Sequence, residues 1–119
     1  MPSVLLVDDS AVARHALSRR LKAEGFDVLE AASTAAARAI PLSGLSCAII
    51  DVDLLDGDGP SLASELRSVS PSLPVAFFTA GAPAELVGKA QQHGPVFTKP
   101  AIDPVIAWAR SAIQPPPTK

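Results

Sequence analysis

One cysteine, Cys47, leaves this 119-residue chain without an internal disulfide, and its place in an apolar strand pattern reads as a small buried hydrophobe. Histidine is nearly as scarce. His15 and His93 stand alone, without the spaced Cys or His partners that a zinc site needs. Positive charge is sparse and dispersed: ten basic residues are scattered among twelve acidic ones, for a formal charge of −2. The concentrated basic stripe that binds a phosphate backbone is therefore lacking, which argues against direct contact with nucleic acid. Long apolar runs are missing too. "SVLLV" and "CAII" are far too short to cross a bilayer, and "MPS" has neither the basic start nor the apolar stretch of a secretory signal, so no membrane insertion and a cytoplasmic location are expected. What the chain does have is 48% hydrophobic residues, enough for one globular domain. That domain is expected over residues 1–113, followed by an extended, mobile Pro-rich tail, "QPPPTK", at 114–119.

Short β-like runs alternate with longer helical patterns. "SVLLV" precedes Asp8, and Ala13, Leu17 and Leu21 then recur at helical spacing up to Gly25. "DVLEA" is a strand, a short alanine-rich helix runs from Ser33 or Thr34 to about Ile40 before Pro41, and "SCAII" is a third strand. Pro60 suits the first turn of "PSLASELRSV", "LPVAFF" reads as a buried strand with Thr79 at its exit, and Pro83 opens a helix to about Gln92. "PVFT" is a fifth strand. Asp103 is expected to N-cap the last helix, with Pro104 at its start. Five strands alternating with five helices predict an α/β fold with a parallel sheet covered on both faces. Such sheets bind ligands at their carboxyl edge, and Asp8, Asp9, Asp51, Thr79 and Lys99 all fall there.

"AIIDVDLLDGDG", residues 48–59, breaks from an apolar run into four aspartates within eight positions. Crowded carboxylates are costly unless a cation, a proton or solvent relieves them. With Asp8 and Asp9 at the same edge, Asp51 completes an oxygen-rich pocket suited to Mg²⁺. A divalent cation there lets an anionic carboxylate act as a nucleophile toward a phosphoryl group, with Lys99 and the Thr79 hydroxyl supplying charge and a hydrogen bond to its oxygens. Asp56 and Asp58 read as solvated turn residues.

The pieces "VDDS", "IIDVDLLDGDG", "FFTA" and "FTKP", in this order, resemble the receiver domain of bacterial two-component response regulators, chemotaxis-regulator-like and single-domain, from the first strand through the last helix. The resemblance implies a flavodoxin-like fold with strand order 2-1-3-4-5, and a phosphorelay switch rather than an enzyme. It implies that Asp51 accepts phosphate from a sensor histidine kinase or phosphotransfer protein, with Mg²⁺-dependent self-phosphorylation and self-dephosphorylation. Mg²⁺ would be held by Asp8, Asp9, Asp51 and the Asp53 backbone carbonyl. Thr79 becomes the switch hydroxyl, Lys99 the phosphate contact, and Lys99–Pro100 a cis bond. Signalling would pass to a downstream protein target, the chain being a monomer or a weak phosphorylation-dependent dimer. Gly59, eight residues after Asp51, matches the glycine that follows the family's acceptor, whereas Ser61 stands at that distance from Asp53.

Two departures stand out. Leu55 replaces a frequent family proline, which predicts a less rigid loop after the acceptor, and Val96 occupies the usual aromatic switch position. Phe97 cannot substitute for it, since adjacent strand residues face opposite ways. The Thr79–Lys99 stretch is also slightly short, pointing to an abbreviated fourth helix or following loop. Trp108 reads as a packed helix residue. The Asp53 side chain, near the pocket mouth, is expected to slow labelling by anionic donors up to roughly fivefold. Among rivals, a pseudo-receiver working without phosphorylation is disfavoured by the retained site residues. A dehalogenase-type Mg²⁺-dependent phosphatase shares "DVD" but places its acidic pair after the nucleophile, and a calcium loop fails at Asp56 and Leu62.

Overall fold

Alternation along the strands sets the architecture. A computed structural model describes residues 1–113; the expected tail at 114–119 lies outside them. In chain order the elements are β1 (Ser3–Val7), α1 (Ala11–Ala23), β2 (Asp27–Ala31), α2 (Thr34–Arg38), β3 (Leu45–Ile50), β4 (Asp53–Leu54), β5 (Gly57–Asp58), α3 (Gly59–Val69), β6 (Val75–Thr79), α4 (Ala84–Gln91), β7 (Val96–Thr98) and α5 (Ile102–Ile113). The main sheet is parallel with order β2-β1-β3-β6-β7, the expected order once the small antiparallel β4–β5 ribbon is set apart. The chain thus has the flavodoxin-like α/β fold, five parallel strands with five helices.

Because side chains alternate across a strand, each strand feeds two cores. Leu5, Val7, Ala48, Ile50 and Phe77 pack with Ala37 of α2, Leu62 and Leu66 of α3, and Ala90 of α4. Val4, Leu6, Cys47, Ile49 and Phe78 pack on the other face with Leu17 and Leu21 of α1 and with Val105, Ile106 and Ala109 of α5. Cys47 is fully buried, and burial pushes its thiol up to about 12. Val96 joins the first core and Phe97 the second, so they do face opposite ways, while Trp108 packs half-buried against the second. The Lys99–Pro100 bond is cis.

Three local expectations are corrected. The last helix begins at Ile102, which puts Asp103 in its first turn instead of at the N-cap; its carboxylate is engaged by Arg20 of α1, whose Nη2 donates to Oδ1 at 2.9 Å. Asp56 and Asp58 do lie in and beside a turn, but neither is merely solvated. Asp56 accepts from the Thr34 and Ala35 N–H groups at 2.9 and 3.2 Å at the start of α2, and Asp58 N-caps α3 by accepting from Ser61 N at 2.8 Å. The loop after Asp51 is also not left loose by Leu55: it forms the β4–β5 ribbon, with Leu55 and Asp56 as its turn.

Candidate metal centre at the carboxyl edge of the sheet

The sheet itself fixes the starting points of the polar side chains. The Asp8 N–H donates to Ala31 O at 3.0 Å, the Asp51 N–H to Val7 O at 2.9 Å, and the Lys99 N–H to Thr79 O at 2.9 Å. Each residue thus hangs from a backbone contact at the very end of its ladder. Gly59 keeps the end of β3 and α3 close: a Cβ there would sit 2.3 Å from Asp51 O, a steric reason for glycine eight residues beyond Asp51.

The side chains converge. Lys99 Nζ lies 2.8 Å from Asp8 Oδ2 and 2.9 Å from Asp51 Oδ2, bridging two buried carboxylates. Asp8 Oδ1 accepts from Ser10 N at 2.9 Å, Asp51 Oδ1 from Asp53 N at 3.4 Å, and Asp9 Oδ2 from Leu55 N at 3.1 Å. Asp8, Asp9 and Asp51 each offer an oxygen within 4.8 Å of the others. Burial raises the Asp8 carboxyl above its ordinary value despite the opposing pull of Lys99. Burial alone would lower the Lys99 ammonium, but its hydrogen bonds to Asp8 and Asp51 outweigh that and hold it up.

Thr79 is buried at the end of β6, and its hydroxyl makes no hydrogen bond to the Asp51 or Lys99 side chains among the described residues. The Asp53 side chain is exposed on β4 and stands outside the carboxylate cluster. One contributor escapes the sequence pattern. Arg14 Nη1 donates to the Asp8 carbonyl at 2.7 Å while its Nε donates to Glu30 Oε1 at 3.1 Å, so α1 and β2 together steady the loop carrying both aspartates. An arginine on an amphipathic helix reads as a solvated charge; only the fold shows it nearly buried.

Three carboxylates against one ammonium leave an excess of negative charge, carried by hard oxygen donors. That donor set fits a divalent cation such as Mg²⁺, which takes a few carboxylates and completes its shell with water or phosphate oxygens. Among the described residues no helix is long and apolar enough to cross a membrane.

Comparison with known proteins agrees with this arrangement. Residues 4–102 match the family model of the response regulator receiver domain. A cyclic di-GMP phosphodiesterase of Thermotoga maritima is 32% identical over 93 residues, which cover 77% of this chain; the match spans only 25% of that longer protein. The receiver domain of a Francisella response regulator is 25% identical with a TM-score of 0.80, over 95% of this chain and 97% of that one. The response regulator TrrA of Thermotoga maritima, solved in complex with Mg(2+)-BeF, is 21% identical with a TM-score of 0.83, over 94% of this chain and 99% of that one. The chain belongs to the response regulator receiver domain family of two-component systems.

Proposed function

We propose that this chain is a phosphorylation-dependent signalling switch in which Asp51 is the phosphoacceptor. The observation that carries the reading is the Asp8, Asp9 and Asp51 cluster bridged by Lys99. An Asp51 carboxylate oxygen attacks the phosphorus of a phosphohistidine on a sensor kinase or phosphotransfer protein. The P–N bond breaks, its electron pair stays on the imidazole nitrogen, and that nitrogen takes up a proton. Water later cleaves the acyl phosphate and returns the free carboxylate. Asp8, Asp9 and Asp51, with the Asp53 backbone carbonyl, would hold Mg²⁺, which when bound neutralises charge on the phosphoryl oxygens. Lys99 then turns from the two carboxylates toward a phosphoryl oxygen, and the Thr79 hydroxyl donates to another.

The domain, taken as residues 1–113, works in the cytoplasm and signals by binding a downstream protein, as a monomer or a weak phosphorylation-dependent dimer. The TrrA structure with Mg(2+)-BeF supports such a site on this fold. Mass spectrometry after incubation with Mg²⁺ and acetyl phosphate tests the reading: one phosphoryl group is expected in the wild type and none in Asp51→Asn. Persistence of the same adduct in Asp51→Asn would reject Asp51 as acceptor, and no adduct in the wild type would favour a module working without phosphorylation.

A further inference from the structure

Asp9 differs from the other two cluster carboxylates. Asp8 and Asp51 are buried and held by Lys99, whereas Asp9 is half-exposed and its carboxylate has, among the described residues, one hydrogen bond, from the Leu55 N–H at 3.1 Å, a residue 46 positions away. The donor is well anchored. Leu55 is the first of the two turn residues joining β4 to β5; the second, Asp56, is tied through its carboxylate to the start of α2. β5 runs directly into α3, where the Gly59 N–H donates to Val52 O at 2.8 Å. The Leu55 side chain takes no part, being 93% exposed.

We propose that the Leu55 backbone N–H is a positioning group for the cation site, orienting the Asp9 carboxylate toward Asp8 and Asp51 before the metal arrives. This rests on reading the acidic cluster as a Mg²⁺ site. A free aspartate side chain samples several rotamers, and one charge-assisted bond from a fixed amide removes that freedom in advance. Any residue except proline can supply the amide, so position 55 matters through its N–H and not its side chain. Proline is also stereochemically acceptable there, as the first central residue of a turn preceded by extended Leu54.

Mg²⁺ titration of the full chain, followed by amide resonances, compares wild type, Leu55→Ala and Leu55→Pro. Leu55→Ala keeps the N–H and should bind within about twofold of the wild type; Leu55→Pro should bind about fivefold more weakly, the loss of one such hydrogen bond, with its core resonances unmoved. A metal-free measurement accompanies it: the Leu55 amide should exchange slowly with solvent deuterium in the wild type and faster in Asp9→Ala. Equal Mg²⁺ affinity of Leu55→Pro and wild type, or unchanged Leu55 exchange in Asp9→Ala, overturns this inference and leaves the cation site standing. Failure of the wild type to bind Mg²⁺ overturns both.

Discussion

The sheet edge around Asp51 and the α4 segment are built in opposite ways. Around Asp51 nearly every polar group is spoken for: α1 is N-capped by Ser10, α2 by Ser33, α3 by Asp58, and the cluster is cross-linked by Lys99, Arg14 and the Leu55 amide. From Ala80 to Gln92 the chain is mostly exposed, α4 has eight residues, its N-cap Pro83 provides no side-chain bond, and Ala90 is its only buried residue. α3, by contrast, buries five residues. An element with few buried contacts opens or shifts at small free-energy cost, whereas a capped and cross-linked one does not. A phosphoryl group arriving at the rigid edge should therefore be answered in the loose segment. Because Val96 has no aromatic ring to swing, the response is expected at Thr79 and residues 80–90.

The comparison breaks most severely at Gly59. Adding one methyl there drives a Cβ into the Asp51 carbonyl, and Gly59→Ala should lose about 2–4 kcal/mol in urea unfolding and displace Asp51. Lys99→Ala comes next. Without the ammonium, Asp8 and Asp51 repel each other, so the metal-free variant should unfold at a lower temperature and regain more on adding Mg²⁺ than the wild type does. The same variant should bind beryllofluoride at Asp51 yet fail to shift the amides of residues 80–90; wild-type-like shifts there would show that Lys99 does not couple the two regions.

Much of this arrangement was legible in the residues because it depends on local pattern. Strand alternation, proline and glycine punctuation and the end-of-strand position of Asp8, Asp51, Thr79 and Lys99 all follow from short stretches, and they sufficed for a parallel α/β sheet and the convergence at one edge, whereas the strand order came with the family resemblance. Contacts between distant segments were not legible. Strands as short as Asp53–Leu54 and Gly57–Asp58 have no periodicity to detect, and the partners of Asp56, Asp103 and Arg14 lie on other elements. Leu55 read as a loosened loop because side-chain type was visible and the destination of its N–H was not.

Two milder substitutions sharpen the contrast. Gly88 lies inside α4 with nothing within 4 Å of where a Cβ would stand, so Gly88→Ala should stabilise the helix by about 0.5–1 kcal/mol, opposite in sign to Gly59→Ala. It should also shrink the amide response of residues 80–90, and an undiminished response would mean that α4 does not supply the give. The smallest effect is at Asp56, whose carboxyl is held below its ordinary value chiefly by the Thr34 N–H. A depressed carboxyl stabilises the fold above its unfolded pKa and loses that contribution as pH falls through the folded value. Asp56→Ala should accordingly melt slightly below the wild type at neutral pH, with the gap closing in acid; a gap independent of pH would mean that the charge is irrelevant to the cap.

The ladder contacts of Asp8, Asp51 and Lys99 set distances as well as positions. Asp8 and Asp51 follow neighbouring strands, one strand spacing of about 4.8 Å apart, close enough for short carboxylate arms to meet. Lys99 follows β7, two spacings from β3, with β6 and its Thr79 between them. Only a long arm bridges that gap, and the four-carbon stem of lysine does so with its ammonium within 3 Å of both carboxylates. The pitch of the sheet thus acts as a ruler that assigns side-chain lengths: short acids on adjacent strands, a long base on the far one.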